Sequence, residues 1–211
     1  MKILLANHSS AEFHYLSGKY GDMGWLLGPS SLETSKIRPW TTFALDNDAF
    51  GSFDNGIPWD EKKWLDMIEY VKVKKLKPEW ILMPDKVGDK AETLRKWRAY
   101  THLVSGYKLA FAVQDGMVPQ DVPDTADVIF VGGTLKWKWK TLSMWANAFP
   151  RVHVGRVNTL TKLLSCERFN VESVDGTHWF RFRAPEEWME DLVYFFEQRH
   201  QQQLTIPDID V

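Results

Sequence analysis

The chain has 211 residues, enough for one domain with a substantial core, and its formal net charge of −2 excludes a uniformly basic nucleic-acid binder. Its one cysteine, Cys166, excludes a disulfide framework and a cysteine-based zinc cluster. No apolar run approaches the length of a membrane span, and the start MKILLANHSS is too short for a signal peptide, so we expect a cytoplasmic protein with no membrane partner.

Short apolar segments alternate with longer amphipathic ones along the chain. Residues 2–6 (KILLA) predict the first strand, whereas residues 7–41 are less regular and rich in Gly and Ser. Continuous apolar runs are typical of strands that are covered on both faces. Further strands are predicted at 42–46, 79–84, 107–114, 127–132, 151–155 and 171–175.

Helical patterns fill the intervals between these strands. In the first of them Trp64, Ile68 and Val71 lie on one stripe, and Pro185 stands near the start of the last. The predicted helices cover residues 60–76, 89–104, 135–148, 158–169 and 185–200. This alternation predicts a parallel sheet, either open and doubly wound or closed into a barrel. The barrel is favoured, because polar residues end nearly every strand and no glycine-rich phosphate turn follows the first one.

Acid and amide side chains stand at the ends of four predicted strands. Asp46 follows FAL, Asp85 follows WILMP, Gln114 follows LAFAV and Asp175 follows SV. Each of them alone is also explained as a turn former or a cap. However, a polar side chain that ends an apolar strand must find hydrogen-bond partners or contact a ligand. Because the carboxyl ends of barrel strands meet at one rim, we expect these four side chains to converge on one site.

Two neighbouring features have a structural and a functional interpretation. Asp89, in PDKVGD, is either the N-cap of the next helix or a second substrate-binding acid. Gly132 and Gly133, in VGGT, either form a turn or let a ligand lie against the backbone.

A cluster of basic residues follows the VGGT turn. The segment LKWKWK interleaves Lys136, Lys138 and Lys140 with two tryptophans, and Arg156 and Arg181 follow later strands. Such a run either holds phosphates and stacks on bases, or begins a helix with solvated lysines and buried tryptophans. The functional interpretation predicts a nucleic-acid contact that is confined to the rim.

The ordered motifs resemble a known family. LDNDAF, PDKVGD, AVQDG, FVGGT, HVGRVNT and SVDGT, in this order over about residues 42–180, are similar to the tRNA-guanine transglycosylase superfamily. The resemblance is strongest to the DpdA-type enzymes of phages and bacteria, which insert 7-deazaguanines into DNA. It implies a (β/α)8 TIM-like barrel, reduced in size, over residues 1–211. Two departures are Asp-Asn-Asp at 46–48, where the family commonly has Asp-Ser-Gly, and the lack of the cysteines for the zinc site of the tRNA enzymes.

The resemblance also implies roles for individual residues. Asp175 would be the nucleophile that forms a covalent glycosyl-aspartate, and Asp46 the general acid/base. Such a pair of carboxylates beside one sugar is what retaining glycosidases use. The residues implied to hold the 7-deazaguanine base are Asp85, Gln114, Gly132 and Gly133. Two further candidates are Asp89, as a second substrate-binding acid, and Phe50, whose ring could stack on the base.

The expected function is therefore guanine exchange in DNA, without cofactor or metal, in the host cytoplasm if a phage encodes the protein to evade restriction. The expected partners are DNA and a 7-deazaguanine base. Three alternatives remain: a tRNA enzyme, a nucleosidase or glycosidase that uses water as acceptor on a small substrate, and a barrel that binds nucleic acid without catalysis. The single cysteine argues against the first, and the presence of both Asp46 and Asp175 argues against the last.

Overall fold

A closed barrel of eight parallel strands forms the centre of the protein. The computed structural model describes residues 1–6, 11–33, 37, 40–180 and 186–204. The strands hydrogen-bond in chain order, and the last pairs with the first, with Leu4 opposite Asp175. They are β1 (Lys2–Ala6), β2 (Met23–Leu27), β3 (Phe43–Leu45), β4 (Ile81–Leu82), β5 (Leu109–Val113), β6 (Val128–Val131), β7 (Val152–Val154) and β8 (Ser173–Asp175).

Helices connect the strands on the outside of the barrel. Several begin where a side-chain oxygen accepts a backbone N–H, as Asp60, Asp89, Thr134 and Thr159 do. They are α1 (Ala11–Tyr20), α2 (Ala49–Asp54), α3 (Glu61–Val73), α4 (Lys90–Tyr100), α5 (Leu135–Ala148), α6 (Leu160–Arg168) and α7 (Glu186–Leu204). No helix in the described part of the chain is long and apolar enough to cross a bilayer.

The predicted barrel is confirmed, with one more strand than the pattern indicated. Strand β2, which has the sequence MGWLL, lies in the stretch that was predicted to be irregular, and α1 and α2 were also missed. Gly24 interrupts the apolar run of β2 because β3 approaches closely at this point. A Cβ on Gly24 would lie 2.5 Å from the carbonyl oxygen of Thr42.

Alternation along the strands sorts the apolar side chains into two layers. One layer packs between strands and helices, and includes Val152 and Val154 of β7. The other fills the inside of the barrel and consists of Leu4, Leu26, Ala44, Trp80, Leu82, Ala110, Ala112 and Val128, with Phe130 against them. The interior is therefore packed, as in other barrels of this type, and open space remains at the rim.

Candidate active site at the barrel rim

A cavity of about 430 Å³ opens at the carboxyl ends of the strands. Its floor consists of apolar side chains of the barrel interior, among them Leu26, Leu82, Ala112 and Phe130. Its walls carry the four polar side chains that the sequence predicted would converge, Asp46, Asp85, Gln114 and Asp175. A small organic molecule fits a cavity of this size and composition.

Asp46 forms the part of the wall that follows β3. Its backbone N–H donates to the carbonyl of Leu27 at 2.9 Å, and the Asn47 N–H donates to its Oδ1 at 2.7 Å. Desolvation raises the pKa of Asp46 to about 7, and the negative charges of Asp48 and Asp175 add to the shift. The carboxyl is consequently able to give or take a proton near neutral pH.

The turn after Asp46 is built by Asn47 and Asp48. Asn47 is 1% exposed, and its Nδ2 donates to the carbonyl of Met83 at 2.7 Å and to Asp85 Oδ1 at 2.8 Å. Its Oδ1 accepts the Ala49 N–H at 2.8 Å, which starts α2. Asp48 has a φ of 58°, in the left-handed region that Asp tolerates better than most residues. Sequence reasoning assigned no role to Asn47; its place between two acids was the available signal.

Asp85 and Gln114 form a buried pair that follows β4 and β5. Gln114 Nε2 donates to Asp85 Oδ2 at 2.7 Å, and Gln114 Oε1 accepts the Gly88 N–H at 3.0 Å. Buried Lys96 donates to the backbone carbonyl of Asp85 at 2.8 Å. Burial raises the pKa of Asp85, against the hydrogen bond from Asn47 and the charge of Lys96. Both oxygens of this carboxyl are thereby fixed in direction.

Asp175 ends β8, and its carboxylate contacts the buried side chain of His153. His153 Nε2 lies 2.9 Å from Asp175 Oδ1, and Nδ1 lies 2.9 Å from the Ser173 hydroxyl. With a carboxylate accepting at Nε2–H, Nδ1 accepts from the Ser173 hydroxyl. The Arg156 N–H donates to Asp175 Oδ2 at 3.0 Å. Sequence reasoning missed His153; the signal was the alternation of VHV, which turns a histidine inward between two outward valines.

Two glycines let the chain pass close to Asp175. A Cβ on Gly176 would lie 2.3 Å from the Val157 carbonyl oxygen and 2.7 Å from Asn158 Oδ1. A Cβ on Gly155 would lie 2.9 Å from the Phe130 ring. Gly132 and Gly133 also line the cavity, as does Phe50, so the predicted binding residues other than Asp89 are brought together here.

The prediction that Asp89 binds substrate needs correction. Its side chain accepts the Glu92 N–H at 3.0 Å as the N-cap of α4, and it does not line the cavity.

The predicted basic contact with nucleic acid also needs correction. Lys138 is 0% exposed and donates to the carbonyl of Gly155, so it is unable to contact a phosphate. Lys136 and Lys140 are exposed on α5, and DNA binding by these two stays a prediction. Arg156 lines the cavity, and Arg181 lies outside the described residues. Within the described ranges, no group of three or more His, Cys, Asp or Glu side chains is arranged to hold a metal ion.

Comparisons with known proteins support the fold. No protein-family model and no curated protein matches the chain. Among solved structures, the chain is similar to the crystal structure of 3-hexulose-6-phosphate synthase, with a TM-score of 0.51 and 10% sequence identity. The match covers 92% of this chain and 99% of that one. At this identity the similarity establishes the fold alone.

The resemblance to tRNA-guanine transglycosylases is wrong. The similar solved structure belongs to a different TIM-barrel family, and neither DNA base exchange nor its tRNA and nucleosidase alternatives find support there. The expected 7-deazaguanine substrate, phage origin and role in restriction evasion find no support either. The motifs were misleading for a physical reason: TIM barrels in general place polar functional residues where their apolar strands end. The comparisons thus establish that the chain folds as a (β/α)8 TIM barrel.

Proposed function

We propose that the chain is an enzyme that transfers protons to and from a small uncharged or cationic substrate in the rim cavity. The observation that carries the proposal is the position of Asp46, whose pKa is raised to about 7, in one cavity with Asp175. A general acid/base works best when its pKa lies near the operating pH, and perturbed carboxyls in clefts are typical of functional sites.

In this proposal the two acids have different tasks. Asp46 exchanges the proton, because both of its protonation states are populated near neutral pH. Asp175 stays a hydrogen-bond acceptor, because His153 and the Arg156 N–H each donate to one of its oxygens. A carboxylate fixed in this way stabilises positive charge that develops on the substrate, at no cost of reorganisation during the reaction.

Substrate recognition is assigned to Asp85, Gln114 and Asn158. The carboxylate oxygens of Asp85 each accept one hydrogen bond from the protein and have capacity for another. Asn158 also lines the cavity and carries a side-chain amide. Acceptors of this kind select a molecule that presents N–H or O–H donors, and an unmade bond to a buried acceptor costs about 1–3 kcal/mol.

A phosphorylated substrate is disfavoured by the charges around the cavity. In TIM barrels a phosphate commonly binds at backbone N–H groups after the late strands and at a helix N-terminus. Here the N–H of Thr134, at the start of α5, donates to Asp115 at 2.7 Å, and that of Arg156 donates to Asp175. Asp115 and Asp175 thus take these two N–H groups and place their negative charges beside them. We therefore expect an unphosphorylated substrate, unlike the hexulose 6-phosphate that appears in the name of the similar synthase.

Proton exchange in heavy water tests the proposal. We would incubate the protein with matched pairs of uncharged sugars, polyols and amides and their phosphate esters, and follow loss of carbon-bound proton signals by NMR. We expect exchange or turnover with at least one unphosphorylated member. Asp46→Asn should lose about 10²–10⁴-fold in rate, the usual share of a general acid/base.

Asp124→Asn is the matched control, because Asp124 is exposed and does not line the cavity. It should keep the wild-type rate. Turnover that survives Asp46→Asn, or that prefers the phosphate esters, would overturn the proposal.

A further inference from the structure

Arg156 and Phe50 meet across the mouth of the cavity. Arg156 follows β7, whereas Phe50 lies in the first turn of α2, after β3. In a closed barrel of eight strands in chain order, β3 and β7 lie on opposite sides. Yet the guanidinium Cζ of Arg156 is 4.0 Å from the centroid of the Phe50 ring. The contact therefore joins opposite sides of the rim.

Arg156 is held in this orientation from its own side of the barrel. Its Nη2 donates to the carbonyl of Gly133 at 2.5 Å, and its backbone N–H donates to Asp175. Its φ of 59° lies in the left-handed region, and buried Lys138 fixes the preceding carbonyl, that of Gly155. The arginine thus starts from a rigid turn and reaches over the cavity.

The Phe50 side chain has fewer constraints on its position than that of Arg156. It is 37% exposed on a short helix, and its other ring contact is with exposed Phe53, at a centroid distance of 6.4 Å. The apolar floor belongs to the strands below, so the pair lies between the floor and the solvent. A contact of this kind is weak enough to break and re-form while ligands enter.

We infer that the Arg156–Phe50 pair is a specificity-determining closure, which selects by size the molecules that reach the cavity floor. Small molecules pass beside the closed pair. Larger ones enter only when the arginine and the ring separate. The inference rests on the geometry of the rim and holds whichever reaction takes place below it.

A cysteine placed on the cavity floor tests the closure without a known substrate. Ala112→Cys places a thiol on β5 in the cavity floor. The native Cys166 should not react with the labelling reagents, because it is 0% exposed and burial raises its pKa to about 12. Labelling rates would be measured with iodoacetamide and with the bulkier fluorescein maleimide. Each rate would be normalised to that of Thr177→Cys, which is exposed in the cavity wall.

The decisive comparison is between two neighbouring phenylalanines in this Ala112→Cys background. Phe50→Ala should raise the maleimide rate by about two- to fivefold, as expected for loss of one cation–π contact, and the iodoacetamide rate by less. Phe53→Ala is the control and should change neither rate. Equal effects of the two substitutions, or an equal rise for both reagents, would overturn the inference.

Arg156→Gly gives an independent measurement, because glycine accepts the left-handed backbone at this position. It should raise the maleimide rate as Phe50→Ala does, and the double variant should rise no further than either single one. Additive effects would mean that the two side chains act separately, which contradicts a paired closure.

Discussion

Two acids of the cavity, Asp85 and Asp175, are oriented by buried neighbours. Asn47 and Gln114 donate to Asp85, and His153 donates to Asp175. Two buried lysines donate hydrogen bonds to nearby backbone carbonyls: Lys96 to that of Asp85 and Lys138 to that of Gly155. At this scale the directions of these two carboxyls are set by side chains of the protein itself, before any substrate binds.

Lys138 should make stability depend on pH. Burial first, and the nearby Arg156 charge second, lower the pKa of Lys138 to about 7. In the unfolded chain the pKa of a lysine is about 10.4, so between pH 7 and this value the folded protein binds fewer protons than the unfolded chain. Stability should therefore rise with pH from about 7 to about 10, and the cost of burying the ammonium is greatest below pH 7.

Lys138→Met removes this cost and its pH dependence. The quantity to measure by urea unfolding is the free energy of unfolding of Lys138→Met minus that of the wild type. This difference should fall by about 2–3 kcal/mol between pH 6 and pH 9. The exposed neighbour Lys136→Met is the control and should show no such change. The same pH dependence in both variants would show that Lys138 is not charged and buried as described.

At the scale of elements, the loops after β7 and β8 pack against each other and hold Asp175 between them. The Val157 N–H donates to the carbonyl of Asp175 at 2.6 Å, and Gly176 lies against Val157 and Asn158. A side chain at position 176 would push the two loops apart at this point.

Gly176→Ala should therefore destabilise the protein by about 1–3 kcal/mol, the usual cost of overpacking a close contact. Gly51→Ala is the matched control, because no atom lies within 4 Å of its added Cβ and Gly51 is inside α2. Alanine at that helical position should be neutral or stabilising by up to about 1 kcal/mol. Thermal unfolding compares the two, and equal midpoints would contradict the described loop contact.

Elements with a strong periodic pattern were predictable from the sequence, and those that depend on tertiary contacts were not. The ranges around α3, α5 and seven strands follow from apolar periodicity. Strand β2 was missed because Gly24, required by the approach of β3, breaks its pattern. Lys138 was assigned to the surface because lysine alternates with tryptophan around it, although in a helix it shares a stripe with Leu142 and Trp145.

The candidate site was predictable in position but not in detail. Acids at strand ends indicate the rim, because parallel strands bring their carboxyl ends together. Which chemistry they perform depends on desolvation and on partners such as Asn47 and His153, which come from other elements. Polar residues at strand ends are expected at the rim of any TIM barrel, so they indicate the fold and not one family.

At the scale of the whole molecule, Arg199 ties helix α7 to the residues that precede β1 and β2 and to the end of α6. Arg199 donates to Asp22 at 2.5 Å, to Glu167 at 2.9 Å and to the carbonyl of Met1 at 2.8 Å. One side chain of the last helix therefore bonds to three separate segments of the chain. Charge-assisted hydrogen bonds of this kind are worth more than those of exposed ion pairs.

Arg199→Gln should cost about 1.5–3 kcal/mol in the free energy of unfolding, because it leaves two carboxylates without their partner. Arg95→Gln removes an exposed pair with Glu92 within α4 and should cost no more than about 1 kcal/mol. Chemical denaturation at fixed pH measures both. A loss for Arg95→Gln as large as that for Arg199→Gln would contradict the role of α7.

The proposed reaction depends on a carboxyl in the rim cavity, that of Asp46, which exchanges protons near neutral pH. The most direct test is a pH titration of the Asp46 side-chain carboxyl by ¹³C NMR, with its signal assigned by its absence in Asp46→Asn. The described cavity predicts a midpoint of about 7, because desolvation and the charges of Asp48 and Asp175 disfavour the anion. A midpoint of about 4, the ordinary value for aspartic acid, would contradict the raised pKa and leave Asp46 without the role of general acid/base.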